Sequence, residues 1–393
     1  MVKLARRVRE LAESATLAVS AKAARMKAEG VDVVSFGAGE PDFDTPRHIS
    51  QAAIDALLSG KTRYPSPAHG ILVARQAVCT ALQRDQGLIY SPEQVIITSG
   101  GKDAAYLAIH SVIEEGDEVV IPVPYWVSYP EIVRLAGGTP IHIAGPEERD
   151  FKLTPALLES VLTPRTRMVI FNSPSNPSGV TYWPEEIRAL AAVLERRDLI
   201  VFSDEIYDRL LYGDQRTLSY AAVSSRAYGQ SLTSSSASKT FAMPGWRLGY
   251  AAGPIEIIRS MAKLQSQSTS GAATFSQIAF ASALTGDQAP VEQMRKEFEK
   301  RGAHMTRRLR EMPGVRCPTP TGAFYCFPNV SSAYAKLGVV GSIAFAERLL
   351  SEAHVAVVPG IAFGLDGHVR LSFAASMEQI DMGLDRMAAF VRE

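Results

Sequence analysis

Short apolar, β-branched runs recur along most of this chain, and helix-forming stretches separate most of them. The runs are Val95-Ile-Ile-Thr98, Glu118-Val-Val-Ile121, Met168-Val-Ile-Phe171, Leu199-Ile-Val-Phe202 and Gln230-Ser-Leu-Thr233. Gly101 to Glu114 and Pro184 to Arg197 are typical of the helical stretches between them. Strands that are apolar on both faces, alternating with helices, predict a mainly parallel sheet covered on both sides. Such sheets bind ligands beyond the carboxyl ends of their strands, so the polar residues just after each run are the ones to inspect.

The expected architecture is α/β, with this large sheet domain flanked by helices over residues 47–310. A smaller α+β domain is assembled from both ends of the chain, residues 1–46 with an N-terminal arm and residues 311–393. Leu4 to Glu29 is predicted as one amphipathic helix, packed on its own domain or across a partner subunit. Val31 to Phe36 is predicted as a strand leading into Gly37-Ala-Gly39-Glu-Pro-Asp42, which cannot continue as helix past Pro41. A long helix over Pro290 to Met312 precedes three further predicted strands, Gly322–Phe327, Val355–Val358 and His368–Phe373.

Equal numbers of basic and acidic residues, 41 each, leave no electrostatic footprint for nucleic acid. No apolar run has membrane-spanning length. The charged opening segment, with Arg6, Arg7, Arg9, Glu10 and Glu13, does not read as a signal peptide. Cys79, Cys317 and Cys326 are odd in number and set among apolar neighbours, as buried reduced thiols are. The expectation is a cytoplasmic protein with no membrane, nucleic-acid or metal partner.

Asp204 ends the run Leu199-Ile-Val-Phe-Ser-Asp204, with Tyr207 three residues on. Alone it reads as a helix cap. The next motif shifts that balance. In Ser234-Ser-Ser236-Ala-Ser238-Lys239-Thr-Phe-Ala-Met-Pro-Gly-Trp-Arg247, a lysine stands among small hydroxyl and apolar residues. A desolvated lysine loses its proton readily and attacks carbonyls to form a Schiff base. A pyridoxal cofactor needs such a lysine, a carboxylate for its pyridine nitrogen and a site for its phosphate. Asp204 is the right type for the second role, and Ser236, Ser238 and Arg247 for the third.

A second half of an anion site follows Val95–Thr98, where Gly100, Gly101 and Lys102 lead from strand into helix. The ATP-binding phosphate loop is excluded, because its earlier glycine and following Ser or Thr are missing. A dinucleotide fingerprint at Gly37-Ala-Gly39 is excluded by Pro41 and Pro46. Asn176, in Asn172-Ser-Pro-Ser-Asn176-Pro-Ser-Gly179, stands where its amide reaches a ring oxygen, or simply belongs to a turn. Trp126 is either a stacking platform for that ring or a core residue. Arg370 lies in His368-Val-Arg-Leu-Ser-Phe373 on a predicted inner strand with no acidic neighbour in sequence, and a buried guanidinium needs an anion.

In this order and at successive strand ends, these motifs resemble those of the class I aminotransferases, the pyridoxal-phosphate enzymes of fold type I. The sequence is most similar to the bacterial aspartate aminotransferase subgroup Ib. The stretches that carry the resemblance are Gly37–Pro46, Ser99–Ala104, Pro124–Pro130, Asn172–Gly179, Ser203–Tyr207, Ser238–Arg247 and His368–Ser372. The resemblance implies a seven-stranded sheet, pyridoxal 5′-phosphate as cofactor, and Lys239 as Schiff-base lysine and proton shuttle. It implies Asp204 against the pyridine nitrogen, Asn176 and Tyr207 on the phenolic oxygen, and Trp126 stacked on the ring. Gly100, Gly101, Lys102, Ser236, Ser238 and Arg247 would surround the phosphate or its rim.

Arg370, with Asn176, Trp126 and the Gly39 main chain, would take the substrate α-carboxylate. Lys102 would meet a distal carboxylate or neutralise phosphate; the first is favoured. Tyr64 would reach the partner's phosphate in a homodimer with shared active sites. The implied reaction is ping-pong transfer from L-aspartate to 2-oxoglutarate. The alternatives are a prephenate, aromatic or other biosynthetic aminotransferase, and a non-catalytic pyridoxal-phosphate sensor. One departure stands out: five residues separate Tyr64 from Gly70, and Ala74 replaces the family leucine. His69 in that loop is a candidate substrate contact or a rim residue without a role.

Overall fold

The computed structural model describes residues 3–11 and 15–392. Its strands are β1 (Val34–Ser35), β2 (Val95–Thr98), β3 (Glu118–Val123), β4 (Thr139–Ala144), β5 (Thr166–Asn172), β6 (Ile200–Asp204), β7 (Ser231–Ser236), β8 (Gly249–Ala252), β9 (Tyr325–Cys326), β10 (Val355–Ala356), β11 (Val358–Pro359) and β12 (Val369–Ser372). Seven form one sheet in the order β2-β8-β7-β6-β5-β3-β4. Pairing is parallel except at β8, which runs antiparallel to β2 and β7.

All five expected runs lie in this sheet, and the structure adds β4 and β8. Strand β4 is an edge strand carrying Pro140 and mostly exposed side chains, so it offers no apolar run. Strand β8, Gly-Tyr-Ala-Ala, has no β-branched residue yet is buried throughout. On one face Ile96, Ile121, Ile170, Phe202 and Leu232 pack against the helices Gly101–Val112 and Ile255–Gln267. On the other, Val120, Val169 and Val201 pack against the helix Pro184–Leu194. Each such fully buried side chain contributes about 1.5–3 kcal/mol to holding the frame rigid.

The C-terminal strands are shorter than the sequence suggests. Strand β9 keeps only Tyr325–Cys326, Val355–Val358 divides into β10 and β11, and β1 pairs in parallel with β10. Strands β11, β12 and β9 form an antiparallel sheet. Every residue of β12 is buried. Phe36, Phe373 and Leu384 share a core with Met294, Phe298, Met305 and Leu309 of the helix Ala289–Arg310, and Tyr207 and Leu210 reach into it from beyond β6.

The expected N-terminal helix is divided: one turn, Arg6–Arg9, ends at Glu10, and a longer helix spans Ala15–Ala28. Residues 12–14 lie outside the described residues. Ala23 packs on Val33, Leu350 and Ala356 of the same chain. Cys317 and Cys326 are buried free thiols, and Cys79 is half-buried.

Candidate active site

A cavity of about 380 Å³ opens where β5, β6 and β7 end and meets β12 from the C-terminal sheet. Gly39, Gly101, Lys102, Trp126, Asn176, Asp204, Tyr207, Ser238, Lys239, Arg247 and Arg370 all line it.

Lys239 follows β7 in the short helix Ala237–Thr240. Ser236 caps that turn: its Oγ accepts from the Ser238 N–H at 3.1 Å and donates to Leu248 O at 2.8 Å. The Lys239 ammonium donates to Gly39 O and lies 5.8 Å from the Phe324 ring centre. Burial lowers its pKa from 10.5 to about 8, with Arg370 and Arg247 pushing the same way and Glu40 and Asp204 opposing. At neutral pH a usable fraction of the amine is therefore unprotonated.

Asp204 closes β6. Its Oδ2 accepts from the Tyr129 hydroxyl at 2.5 Å and its Oδ1 from the Ile206 N–H at 3.2 Å. Burial raises its pKa from 3.8 to about 6, and the two hydrogen bonds hold it from rising further. Tyr129 also stands edge-on to Trp126, with ring centres 5.1 Å apart. Tyr207 and Tyr325 pair hydroxyl to hydroxyl at 2.9 Å.

Arg370 is 2% exposed, so its bonding is decisive. Nη1 donates to Asn176 Oδ1 at 3.0 Å and Nη2 to Gly37 O at 2.9 Å, while Nε is buried without a partner. The Tyr325 ring centre lies 4.5 Å from its Cζ. No carboxylate pairs with Arg370 among the described residues. A buried guanidinium that lines a cavity and has no carboxylate partner is a receptor for an anion.

At the far end of the cavity the helix Gly101–Val112 begins with amides that have no carbonyl to bond within the helix. Gly100 has φ +94°, a conformation that strains any residue but glycine, and its bare Cα lets Arg247 Nη2 stand 2.4 Å from where a Cβ would be. Arg247 donates to Pro244 O at 2.9 Å and Ser99 O at 3.2 Å. The Lys102 ammonium sits 5.2 Å from the Trp126 ring centre, its pKa lowered by burial and by Arg247.

Three of the expected residues stand apart from the cavity wall. Gly100 and Ser236 shape the turns behind it, and Tyr64 is 86% exposed, away from this chain's own cavity. His69 is also absent from the wall; its ring lies near Arg75 and Glu93. Tyr129, Tyr325 and Asn172 line the cavity without having been singled out in the sequence. Tyr129 had a weaker signal, its place in the first turn of the helix Ser128–Leu135 just after Trp126. Tyr325 had none, because β9 is buried on both faces.

A mainly parallel sheet with an amine, a carboxylate and an unpaired guanidinium converging beyond its strand ends is the frame of an enzyme for small anionic substrates. The chain belongs to the family described as aminotransferase class I and II, which matches residues 31–387. That family uses pyridoxal phosphate and acts on amino and 2-oxo acids. An aspartate aminotransferase from Geobacillus stearothermophilus is 46% identical over 390 residues, 99% of each chain. An aspartate/prephenate aminotransferase from Cereibacter sphaeroides is 44% identical over 383 residues, 96% of each chain. The solved structure of the Thermus thermophilus aspartate aminotransferase with maleate superimposes with a TM-score of 0.94 at 42% identity, covering 99% of this chain and all of that one. None of the described helices is long and apolar enough to cross a membrane.

Proposed function

We propose that this chain is an aspartate aminotransferase holding pyridoxal 5′-phosphate, which moves the amino group of L-aspartate to 2-oxoglutarate in two half-reactions. The observation that carries this reading is the convergence, in one cavity, of Lys239 with its depressed basicity, the buried carboxyl of Asp204 and the guanidinium of Arg370, which has no carboxylate partner among the described residues. The residues present fit the cofactor. Gly101, Lys102, Ser238 and Arg247 form a cationic, amide-rich end for its phosphate, with Gly100 keeping that end open. Trp126 would offer a ring face, Asn176 and Tyr207 would hold a phenolic oxygen, and Asp204 would hold a ring nitrogen.

When bound, the cofactor supplies an electron sink beside the substrate's α-carbon. Lys239 removes the α-proton as general base and returns a proton from the same nitrogen, a role suited to a pKa of about 8. The Tyr129 hydroxyl favours the anionic form of Asp204, which would pair with a protonated ring nitrogen. Arg370 turns its fork to the α-carboxylate, oriented by Asn176 and Gly37. Lys102 takes the distal carboxylate of the acidic substrate. Tyr64, exposed on this chain, serves the partner's cavity in a cytoplasmic homodimer. Residues 47–310 form the cofactor-holding part, and residues 1–46 and 311–393 the part that closes over the substrate.

The visible spectrum of the purified protein tests this. A pH-sensitive yellow band should bleach on adding L-aspartate and return with 2-oxoglutarate. A protein without such a band, or one bleached equally by every amino acid, would overturn the reading. Prephenate as amino acceptor is a second reading, motivated by the Cereibacter relative, and restoration of the band by prephenate tests it.

A further inference from the structure

The segment from Gly37 to Thr45 has neither helix nor strand, yet it presents two main-chain carbonyls to residues of the cavity wall. Gly37 O accepts from Arg370 Nη2 at 2.9 Å, and Gly39 O accepts from Lys239. The start of the segment is tied by main-chain bonds, Phe36 N–H to Ala356 O at 2.9 Å and Ser372 N–H to Phe36 O at 2.8 Å. Thr45 ties its end, donating to Ala242 O at 2.7 Å and accepting from Trp246 Nε1 at 3.0 Å.

Its middle is tied by one side-chain pair. Both carboxylate oxygens of Asp42 accept from Nη1 of Arg301, at 2.8 and 2.9 Å, across 259 residues of sequence. Arg301 belongs to the long helix Ala289–Arg310 and is itself buried. Its Nε donates to Glu297 at 3.0 Å, and its Cζ lies 5.2 Å from the Phe43 ring centre and 5.8 Å from that of Phe298. The two rings meet edge-on at 5.3 Å. An ion pair between two mobile surface chains is worth little, largely because both must be ordered. Here Glu297 and the Phe298 ring already hold the guanidinium from within its own helix, so only Asp42, Phe43 and their loop remain to be ordered. An apolar side chain would fill the space between the rings at lower desolvation cost, so packing alone does not explain an arginine there.

We propose that Arg301 and Asp42 are a positioning pair for substrate binding: they fix the loop whose Gly37 and Gly39 main chain shapes the carboxylate site at Arg370. The proposal rests on the cavity being an amino-acid site. The pair touches neither Lys239 nor Asp204 and reaches Lys239 only through the Gly39 carbonyl, so it should govern substrate affinity more than cofactor affinity.

The test uses the cofactor-loaded protein with Asp42→Asn, Arg301→Lys and the double variant. Lysine retains the charge but lacks the planar two-ended donor that spans Asp42 and Glu297. KM for L-aspartate and the inhibition constant of succinate should each rise on the order of tenfold, because small misplacements of binding groups are that costly. The value of kcat should stay within about twofold. The cofactor's affinity should change by less than KM does, because the pair reaches Lys239 only through Gly39. The double variant should lose little more than either single one, as coupled partners do.

An unchanged KM in a folded variant overturns the proposal, as does a rise in KM accompanied by an equal loss of cofactor affinity. Should Arg301→Lys fail to fold, Asp42→Asn, at a loop position open to solvent, decides between the outcomes. Failure of the underlying reading looks different: the parent protein itself would show no amino-acid-dependent bleaching.

Discussion

Removal of one oxygen, Tyr129→Phe, tests how the cavity keeps Asp204 charged. Tyr129 is fully buried, its hydroxyl donates to Asp204 Oδ2 at 2.5 Å, and its ring packs on Trp126. Phenylalanine keeps the ring and deletes only the donor. A hydrogen bond to a charged acceptor is worth about 1.5–3 kcal/mol, which corresponds to roughly one to two pH units of carboxyl acidity. The groups facing Asp204 are Lys239, which lowers its pKa, and the Ile206 N–H, which does the same; both remain in the variant. Asp204 should therefore titrate roughly one to two pH units above its present value of about 6.

Its folded pKa already exceeds the ordinary 3.8, so Asp204 costs nothing while protonated in both states, destabilises the cofactor-free fold progressively as pH rises from 3.8 to about 6, and carries a constant penalty above that. In the variant that penalty deepens at higher pH. Chemical denaturation of the cofactor-free proteins at pH 5 and pH 8 measures it. At pH 5 the substitution should cost about 1 kcal/mol, as for a neutral hydrogen bond. Between pH 5 and pH 8 the cost should grow by about 1.4 kcal/mol for every tenfold loss of Asp204 acidity. An equal cost at both pH values would show that Tyr129 acts on packing alone and refute the reasoning.

Two further outcomes follow from the site. Lys239 in the cofactor-free protein should react with an aldehyde and borohydride half-maximally near pH 8, where exposed lysines remain protonated; peptide mass spectrometry reads this, and a profile rising only above pH 10 contradicts it. Lys102→Met should weaken L-aspartate by on the order of tenfold or more while sparing L-alanine, given the worth of a charge-assisted contact; a loss of cofactor affinity with unchanged selectivity would assign Lys102 to the phosphate instead.

The frame was legible because burial on both faces writes strands as unbroken apolar runs, as in Val95–Thr98 and Leu199–Phe202. Strand β4 was hidden by its exposed, proline-bearing edge and β8 by its glycine and alanines. Site residues at strand ends, such as Asp204 and Lys239, were accessible because topology dictates where ligands bind. Contacts made across the chain were not. Arg370 meets Asn176 across 194 residues, Arg301 meets Asp42, and Tyr325 meets Tyr207, none with a local pattern to announce it. The division of the N-terminal helix after Arg9 also lacked a sequence signal, for no proline or glycine stands there.

The cavity is electrostatically unfavourable when it contains only protein. Asp204, moved from 3.8 to about 6, costs about 3 kcal/mol when ionised, and Lys239, moved from 10.5 to about 8, costs a similar amount when protonated. Arg370 adds an unpaired buried N–H. Together these rival a large fraction of a typical net stability, so the apolar faces of the seven-stranded sheet must offset them. An anionic ligand at Arg370, or a cationic group at Asp204, would each remove a penalty present before binding. The same arrangement thus explains both why the site needs so large and rigid a frame and why its occupants bind: their affinity is the release of strain that the fold imposed on Lys239, Asp204 and Arg370.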